Sequence, residues 1–386
     1  MTPGARVAAA IDILDAIAAG QAAEQALSRW ARASRFAGSK DRAAIRDHVF
    51  DVLRHWRSDA SRGGADTGRG RMIGRLRAQG IDPDALFDGQ GHAPAPLSDA
   101  ERGRGAPPSD QGAAWDLPDW LVAVFEDSLG AQAEEAAIAL TRRAPVTVRV
   151  NISLTDIAGA RASLAKDGID TVQNPRADTA LTITDGARRL RNSAAYRQGH
   201  VEIQDASSQA AVAALNGSGR ALDLCAGGGG KALALAARGW FVTASDIDPK
   251  RMKDLPDRAA RGQHRIDICP SDQLDGSAPF DLVFVDAPCS GAGTWRRTPE
   301  AKWALTPDRL AALCAMQRDV LTRAAPLVAP GGLLVYATCS ILECENSKQL
   351  EWFAGRNSLF DVTAETHWAV DDWGDGFYSA HLTRMG

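Results

Sequence analysis

From residue 207 onward, short apolar runs alternate with helical patterns, and that alternation leaves few folds open to the chain. The runs are RALDLCAGGGG, WFVTASD, HRIDIC, DLVFVDAP and GLLVYAT; helical patterns follow as LALAAR, residues 251–260, 307–327 and 345–353. Strand–helix repeats of this kind predict an α/β fold with a doubly wound, Rossmann-like parallel sheet. Runs of four to six residues that are apolar throughout suit strands buried on both faces. Two of them end in a cysteine: Cys289 follows LVFVDAP and Cys339 follows LLVYAT. In an open α/β sheet the strand C-termini line the ligand crevice, so two thiols at equivalent places are expected to face a substrate. A single free cysteine would read as core filling.

At 386 residues the chain exceeds one ordinary core, and two or three domains are expected. Its six cysteines form no C-x-x-C pair and all fall in the C-terminal half, which argues against a disulfide framework or a zinc site. A metal-free protein of the reducing cytoplasm fits best. MTPGARVAAAIDILDAIAAG carries acidic residues and no long apolar core, so neither a signal peptide nor a membrane span is expected there. The net charge of −4 is not that of a protein wrapped in nucleic acid, although a basic patch can hide inside such a total.

Residues 1–114 begin with apolar positions at helical spacing, among them Val7, Ile11, Leu14, Ile45, Val49 and Leu53, with Ser39 or Asp41 a candidate cap. That is a helical region. Its tail, residues 58–114, is rich in Gly, Arg, Pro and Ser and reads as loop with short helical pieces near Met72 and Pro83. Residues 115–204 alternate helices with the strands APVTVRVNI, ALTITDG and HVEIQD, with a helix begun by Thr155 or Asp156, and predict a small α+β domain. Between Arg142 and Arg197 ten Arg or Lys stand against five Asp; this is a solvated face or, beside a domain acting on nucleic acid, a phosphate-facing one. Residues 205–386 form the Rossmann-like domain.

LDLCAGGGGK sets Gly227, Gly228, Gly229 and Gly230 between a strand and a helix, where backbone can approach a ligand. It is not a phosphate-binding P-loop, because Cys225 replaces the first glycine and Ala232 follows Lys231. The next strand ends in Asp246, placed either to accept from ribose hydroxyls or to cap a helix. A glycine turn and an acid without a phosphate motif point to S-adenosylmethionine. The thiols then suggest the reaction. Carbon 5 of a pyrimidine is a poor nucleophile until a thiolate adds at carbon 6, and afterwards a base must remove the hydrogen at carbon 5.

EIQDASSQ, LDLCAGGGGK, DIDPKRM, VDAPCSGAGTWRRTPEAKW, VYATCS, ECEN and DGFYSAHL together resemble the RNA cytosine-5 methyltransferases of the NOL1/NOP2/Sun family, in particular its bacterial Sun, Fmu or RsmB-like branch. The resemblance implies that Cys339 is the nucleophile and that Cys289 assists product release. It implies cofactor contacts by Cys225, Ala226, Gly227, Gly228, Gly229, Gly230 and Lys231, and by Asp246, Asp272 and Asp286. It also implies a NusB-like RNA-binding region at the N-terminus, a small-subunit ribosomal RNA substrate, and a monomer working without metal or membrane. Gly228 stands where the family has proline, so the loop loses a rigid φ and is expected to order with cofactor. Two other readings are a DNA cytosine-5 methyltransferase, whose nucleophile is the Pro-Cys thiol, and a non-catalytic RNA-binding or assembly protein on a methyltransferase fold.

Overall fold

The computed structural model describes residues 1–215, 217–274 and 279–386. The chain divides into two units: Met1–Arg143 with Trp295–Ala304, and Ala144–Thr294 with Leu305–Gly386.

In the first unit, helices Pro3–Ala18, Ala23–Ala33, Ser39–Arg54, Trp56–Gly63 and Gly68–Ala78 enclose Val7, Leu14, Ile45, Val49, Leu53, Met72 and Ile73. Of the two candidate caps, Asp41 does the work: its carboxylate accepts from Gly38 N at 3.3 Å, and Ser39 is the first helical residue. The Gly- and Arg-rich stretch is not simply loop. Gly68–Ala78 is a buried helix packed on Trp56–Gly63, and the glycines permit the contact: a Cβ on Gly63 would overlap the Gly70 carbonyl, and one on Gly74 the Asp59 carbonyl. Glycine here allows helices to touch, a use that composition does not distinguish from a flexible linker. The segment Trp295–Ala304, ten residues that follow the Cys289 loop in sequence, folds into this unit. Trp295 stacks on Phe125 with centroids 6.0 Å apart, Trp303 Nε1 donates to Leu53 O at 2.7 Å, and Arg54 Nε donates to Arg296 O at 2.7 Å.

The second unit holds two sheets. Strands β1 (Val146–Val150), β2 (Asp170–Gln173), β3 (Ala180–Asp185) and β4 (Val201–Ile203) pair antiparallel in the order β2-β3-β1-β4. Helix Ile157–Lys166 covers this sheet and is capped by Asp156, which accepts from Gly159 N at 2.7 Å. β2 is an exposed edge with little apolar content, which is why its sequence does not announce it.

Strands β5 (Arg220–Asp223), β6 (Phe241–Ala244), β7 (Ile266–Ile268), β8 (Phe280–Asp286), β9 (Val328–Thr338), β10 (Phe360–Trp368) and β11 (Phe377–Arg384) form the larger sheet in the order β10-β11-β9-β8-β5-β6-β7. β5 to β9 run parallel as the alternation predicts, but β11 is antiparallel to both β9 and β10, so the sheet is mixed. Only eight residues join β10 to β11, too few for the crossover a parallel pair needs. Strand order reverses between β5 and β8, which places the crevice of an open α/β sheet past their C-termini. Asp223 and Asp286 end these two neighbours.

Candidate active site

The loop after β5 turns through two left-handed glycines, Gly227 at φ +51° and Gly229 at φ +79°, before helix Gly230–Ala237 begins. Three aspartates support it. Asp223 accepts from Ala232 N at 2.8 Å; Asp246 accepts from Gly227 N at 2.9 Å and Asp248 N at 3.0 Å and pairs with Arg251 at 3.0 Å; Asp286 pairs with Lys231 at 2.5 Å. Ala226 N donates to Ser245 O at 3.0 Å, Gly230 O accepts from Arg149 at 2.8 Å, and Gly228 O accepts from Arg258.

Burial and the acidic neighbours set the charges. Asp223 is fully buried, and burial followed by the charge of Asp286 pushes its carboxyl up to about 7. Burial and the same aspartates push the Cys225 thiol up to about 12, so Cys225 lines the loop as a neutral group. Burial pulls the Lys231 ammonium down, but Asp286, with a further contribution from Cys339, outweighs it and the net shift is upward.

The two thiols meet. Cys289, three residues past β8, and Cys339, the residue after β9, lie with sulfurs 3.4 Å apart. The hydrogen bond to Cys339, then burial, then the charges of Cys339 and Glu345 hold Cys289 well above the ordinary thiol range. Cys289 is thereby favoured in its protonated form, and either sulfur can donate across the contact.

The structure thus brings together Cys289 with Cys339, Lys231 with Asp286, and Asp246 with Gly227. Asp272 is exposed in the turn after β7 and, among the described residues, makes no hydrogen bond or ion pair with the others. The basic count of residues 142–197 overstates the exposed cation: Arg149 is buried on Gln204 and Gly230, and Arg176 pairs with Asp371, whereas Arg188, Arg189, Arg191 and Arg197 are exposed, Arg189 donating to Gly168 O at 3.1 Å.

Sequence reasoning assigned no role to Glu345. Its carboxylate is fully buried and accepts from Ser290 N (2.8 Å), Ser290 Oγ (2.5 Å), Ser340 Oγ (2.6 Å) and Gln317 Nε2 (3.0 Å). Asn346 accepts from Thr338 Oγ1 at 2.6 Å and donates to Ser340 O at 3.0 Å. The ECEN piece was visible, but a buried carboxylate among three charged or polar neighbours looks like a solvated helix start.

Comparison with known proteins bears on the family and the fold. Residues 210–382 match the family described as 16S rRNA methyltransferase RsmB/F, and residues 117–188 match the ferredoxin-like domain described as RsmF/B-like. The chain is 35% identical over 305 residues to ribosomal RNA small subunit methyltransferase B of Xanthomonas campestris, covering 75% of this chain and 65% of that one. It is 32% identical over 313 residues to the protein of that name from Xylella fastidiosa, covering 75% and 71%. Its fold is that of the crystal structure of PH0851 (TM-score 0.76, 22% identity, 99% of each chain) and of NSun6 from Pyrococcus horikoshii (TM-score 0.63, 15% identity, 70% of this chain and 99% of that one). With paired strand-end thiols, a glycine loop over three aspartates and these matches, the chain belongs to the RsmB/F family of S-adenosylmethionine-dependent RNA cytosine-5 methyltransferases.

Proposed function

We propose that the protein methylates carbon 5 of a cytidine in 16S ribosomal RNA in the cytoplasm, with Cys339 as nucleophile and Cys289 serving the elimination. The observation that carries this reading is the 3.4 Å sulfur–sulfur contact between Cys289 and Cys339 at neighbouring strand ends. Cys339 adds to carbon 6 of the base, and the electron pair moves to carbon 5. S-adenosylmethionine, when bound, supplies the electrophilic methyl group. Loss of the carbon 5 proton to a base re-forms the double bond and expels the Cys339 sulfur, whose developing charge the Cys289 S–H stabilises.

The residues present fit this cofactor. Asp223 Oδ1 and Ser245 Oγ are buried beneath the glycine loop with no hydrogen-bond partner among the described residues, and no phosphate motif competes. We assign the cofactor contacts to residues 225–231, Asp246, Asp272 and Asp286, and RNA contacts to the helical region 1–114 and the small domain 115–204. The exposed Arg188, Arg189 and Arg191 supply part of the phosphate-facing surface.

The test uses methyl-labelled cofactor and a denaturing gel. Cys339→Ala is expected to abolish transfer and form no adduct, while cofactor binding persists. Cys289→Ala is expected to accumulate a covalent protein–RNA species carrying the label. An adduct with Cys339→Ala and none with Cys289→Ala reverses the assignment. Bisulfite sequencing of RNA from a strain lacking the protein checks the substrate: loss of one 16S cytidine signal is expected.

A further inference from the structure

Cys289 and Cys339 sit on loops that leave two neighbouring strands, and nothing in a strand end by itself fixes how such loops face each other. One side chain spans both. Glu345 Oε1 accepts from Ser290 N and Gln317 Nε2, and Oε2 accepts from the hydroxyls of Ser290 and Ser340, the residues that follow the two cysteines. Gln317, from helix Pro307–Ala324, also donates to Pro288 O at 2.9 Å, so the Cys289 loop is held on both sides of the thiol. The Tyr336 hydroxyl donates to Glu345 O at 2.6 Å and pins the bridge to β9. A fully buried carboxylate is costly unless donors surround it, and this one has four. Three of the four come from the serines of the two thiol loops.

We propose that Glu345 is a positioning residue for methyl transfer: its carboxylate ties the Cys289 loop to the Cys339 loop and so sets how the two thiols face each other. This rests on the thiol chemistry proposed above. The charges around the thiols run the same way. Glu345 is one of the groups that hold the Cys289 proton, while the Lys231 ammonium senses Cys339.

Glu345→Gln separates charge from shape. With Oε1 kept toward Ser290 N and Gln317, the new amide faces the two serine hydroxyls. Both hydroxyls donate to Glu345 in the wild type and, as hydroxyls, can accept from the amide in turn. The bridge therefore survives while the charge is lost. Glu345→Asp keeps the charge and shortens the span by one methylene.

The measurement is the pH dependence of iodoacetamide labelling at Cys289, read by peptide mass spectrometry on the full chain without RNA, together with kcat and KM for methyl transfer. Glu345→Gln is expected to move the Cys289 labelling midpoint down by at least one pH unit and to lower kcat at least tenfold, with the cofactor KM within twofold. Glu345→Asp is expected to lower kcat at least tenfold with the midpoint within half a unit of wild type. A Glu345→Gln protein with the wild-type midpoint and the wild-type kcat overturns the proposal. If the midpoint shifts but the wild-type protein transfers no methyl group to RNA, Glu345 still sets the state of the thiol pair, while the function proposed above falls and with it the role in methyl transfer. If Glu345→Gln fails to bind cofactor, Ser290→Ala and Ser340→Ala decide the matter. Each removes one side of the bridge, a kcat loss of threefold or more in both supports it, and wild-type kcat in both overturns it.

Discussion

Two fully buried carboxyl groups, Asp59 in the helical unit and Glu345 between the thiol loops, differ in what surrounds them. Neither Asp59 oxygen has a hydrogen-bond partner among the described residues, and Arg75 Nε stands 3.7 Å away. Burial pushes Asp59 up to about 8, with Arg75 only partly opposing it, so the group is neutral at ordinary pH. Glu345 has four donors converging from two loops and a helix. The lysines repeat the contrast. Burial takes Lys302 down to about 8 despite Asp116, whereas the Asp286 contact more than offsets burial at Lys231. A buried charge is thus no mark of function. What distinguishes Glu345 and Lys231 is that their partners are brought from separate strand ends.

The largest effect expected from breaking this contrast is at Lys231. Lys231→Met removes the cation between Asp286 and the thiols and leaves Asp286 beside the buried Asp223. Single-turnover methyl transfer is expected to fall by about 10²-fold, the size of losing one preorganised electrostatic group. Urea unfolding is expected to show a loss of about 1–2 kcal/mol, because the pair is only half-buried and Asp286 regains contact with water. Wild-type turnover would place the Lys231–Asp286 pair with the structural charges of the helical unit.

Asp59 gives the next effect, on stability alone. The unfolded chain releases this proton near 3.8 and the folded chain keeps it to about 8, so folding takes up a proton between those values. The stability it contributes is complete below 3.8 and is lost as pH rises toward 8. Lys302 acts in the opposite sense in its own window: folding releases its proton between about 8 and 10.5, so stability climbs there. Asp59→Asn is expected to flatten the fall between pH 4 and 8, gaining up to about 1 kcal/mol per pH unit over wild type in urea titrations, with methyl transfer within twofold. A parallel pair of curves would mean that Asp59 is ionised in the fold.

The sequence showed the crevice better than its supports, and the reason is physical. β8 and β9 are continuous apolar runs, and a cysteine after each is visible by position alone. The exposed β10 and the polar β2 carry no such pattern, and the glycines at 63, 70 and 74 mark a close helix crossing that reads as linker. Glu345 was hidden for another reason. Its four donors come from positions 290, 317 and 340, and no local pattern signals a carboxylate whose partners are assembled by tertiary packing. The same holds for Arg149 and Arg176, cations by count that the fold spends on Gln204 and Asp371.

The smallest effect concerns the loop over the acidic cluster, at the position where the family has proline. Gly228 is not in the left-handed region, and its N–H makes no backbone hydrogen bond among the described residues, so neither of the conditions that usually bar proline applies. A Cβ there would meet only Arg258 Nη1, at 2.9 Å, and that flexible side chain also has Glu202 as a partner 3.4 Å away. The obstacle is the preceding residue. Proline crowds the backbone N–H of the residue before it and drives that residue out of the α region toward extended angles. For glycine the same crowding applies to the mirror-image left-handed region, where Gly227 lies at φ +51° while donating to Asp246. Rigidity gained at 228 is therefore set against strain and a loosened Asp246 contact at 227. Gly228→Pro is expected to lower the melting temperature slightly, by less than about 1 kcal/mol of stability, and to weaken cofactor binding in calorimetry by a similar amount. A higher melting temperature with tighter cofactor binding would show that Gly227 takes the extended angles a proline prefers and that Asp246 holds the loop in either shape.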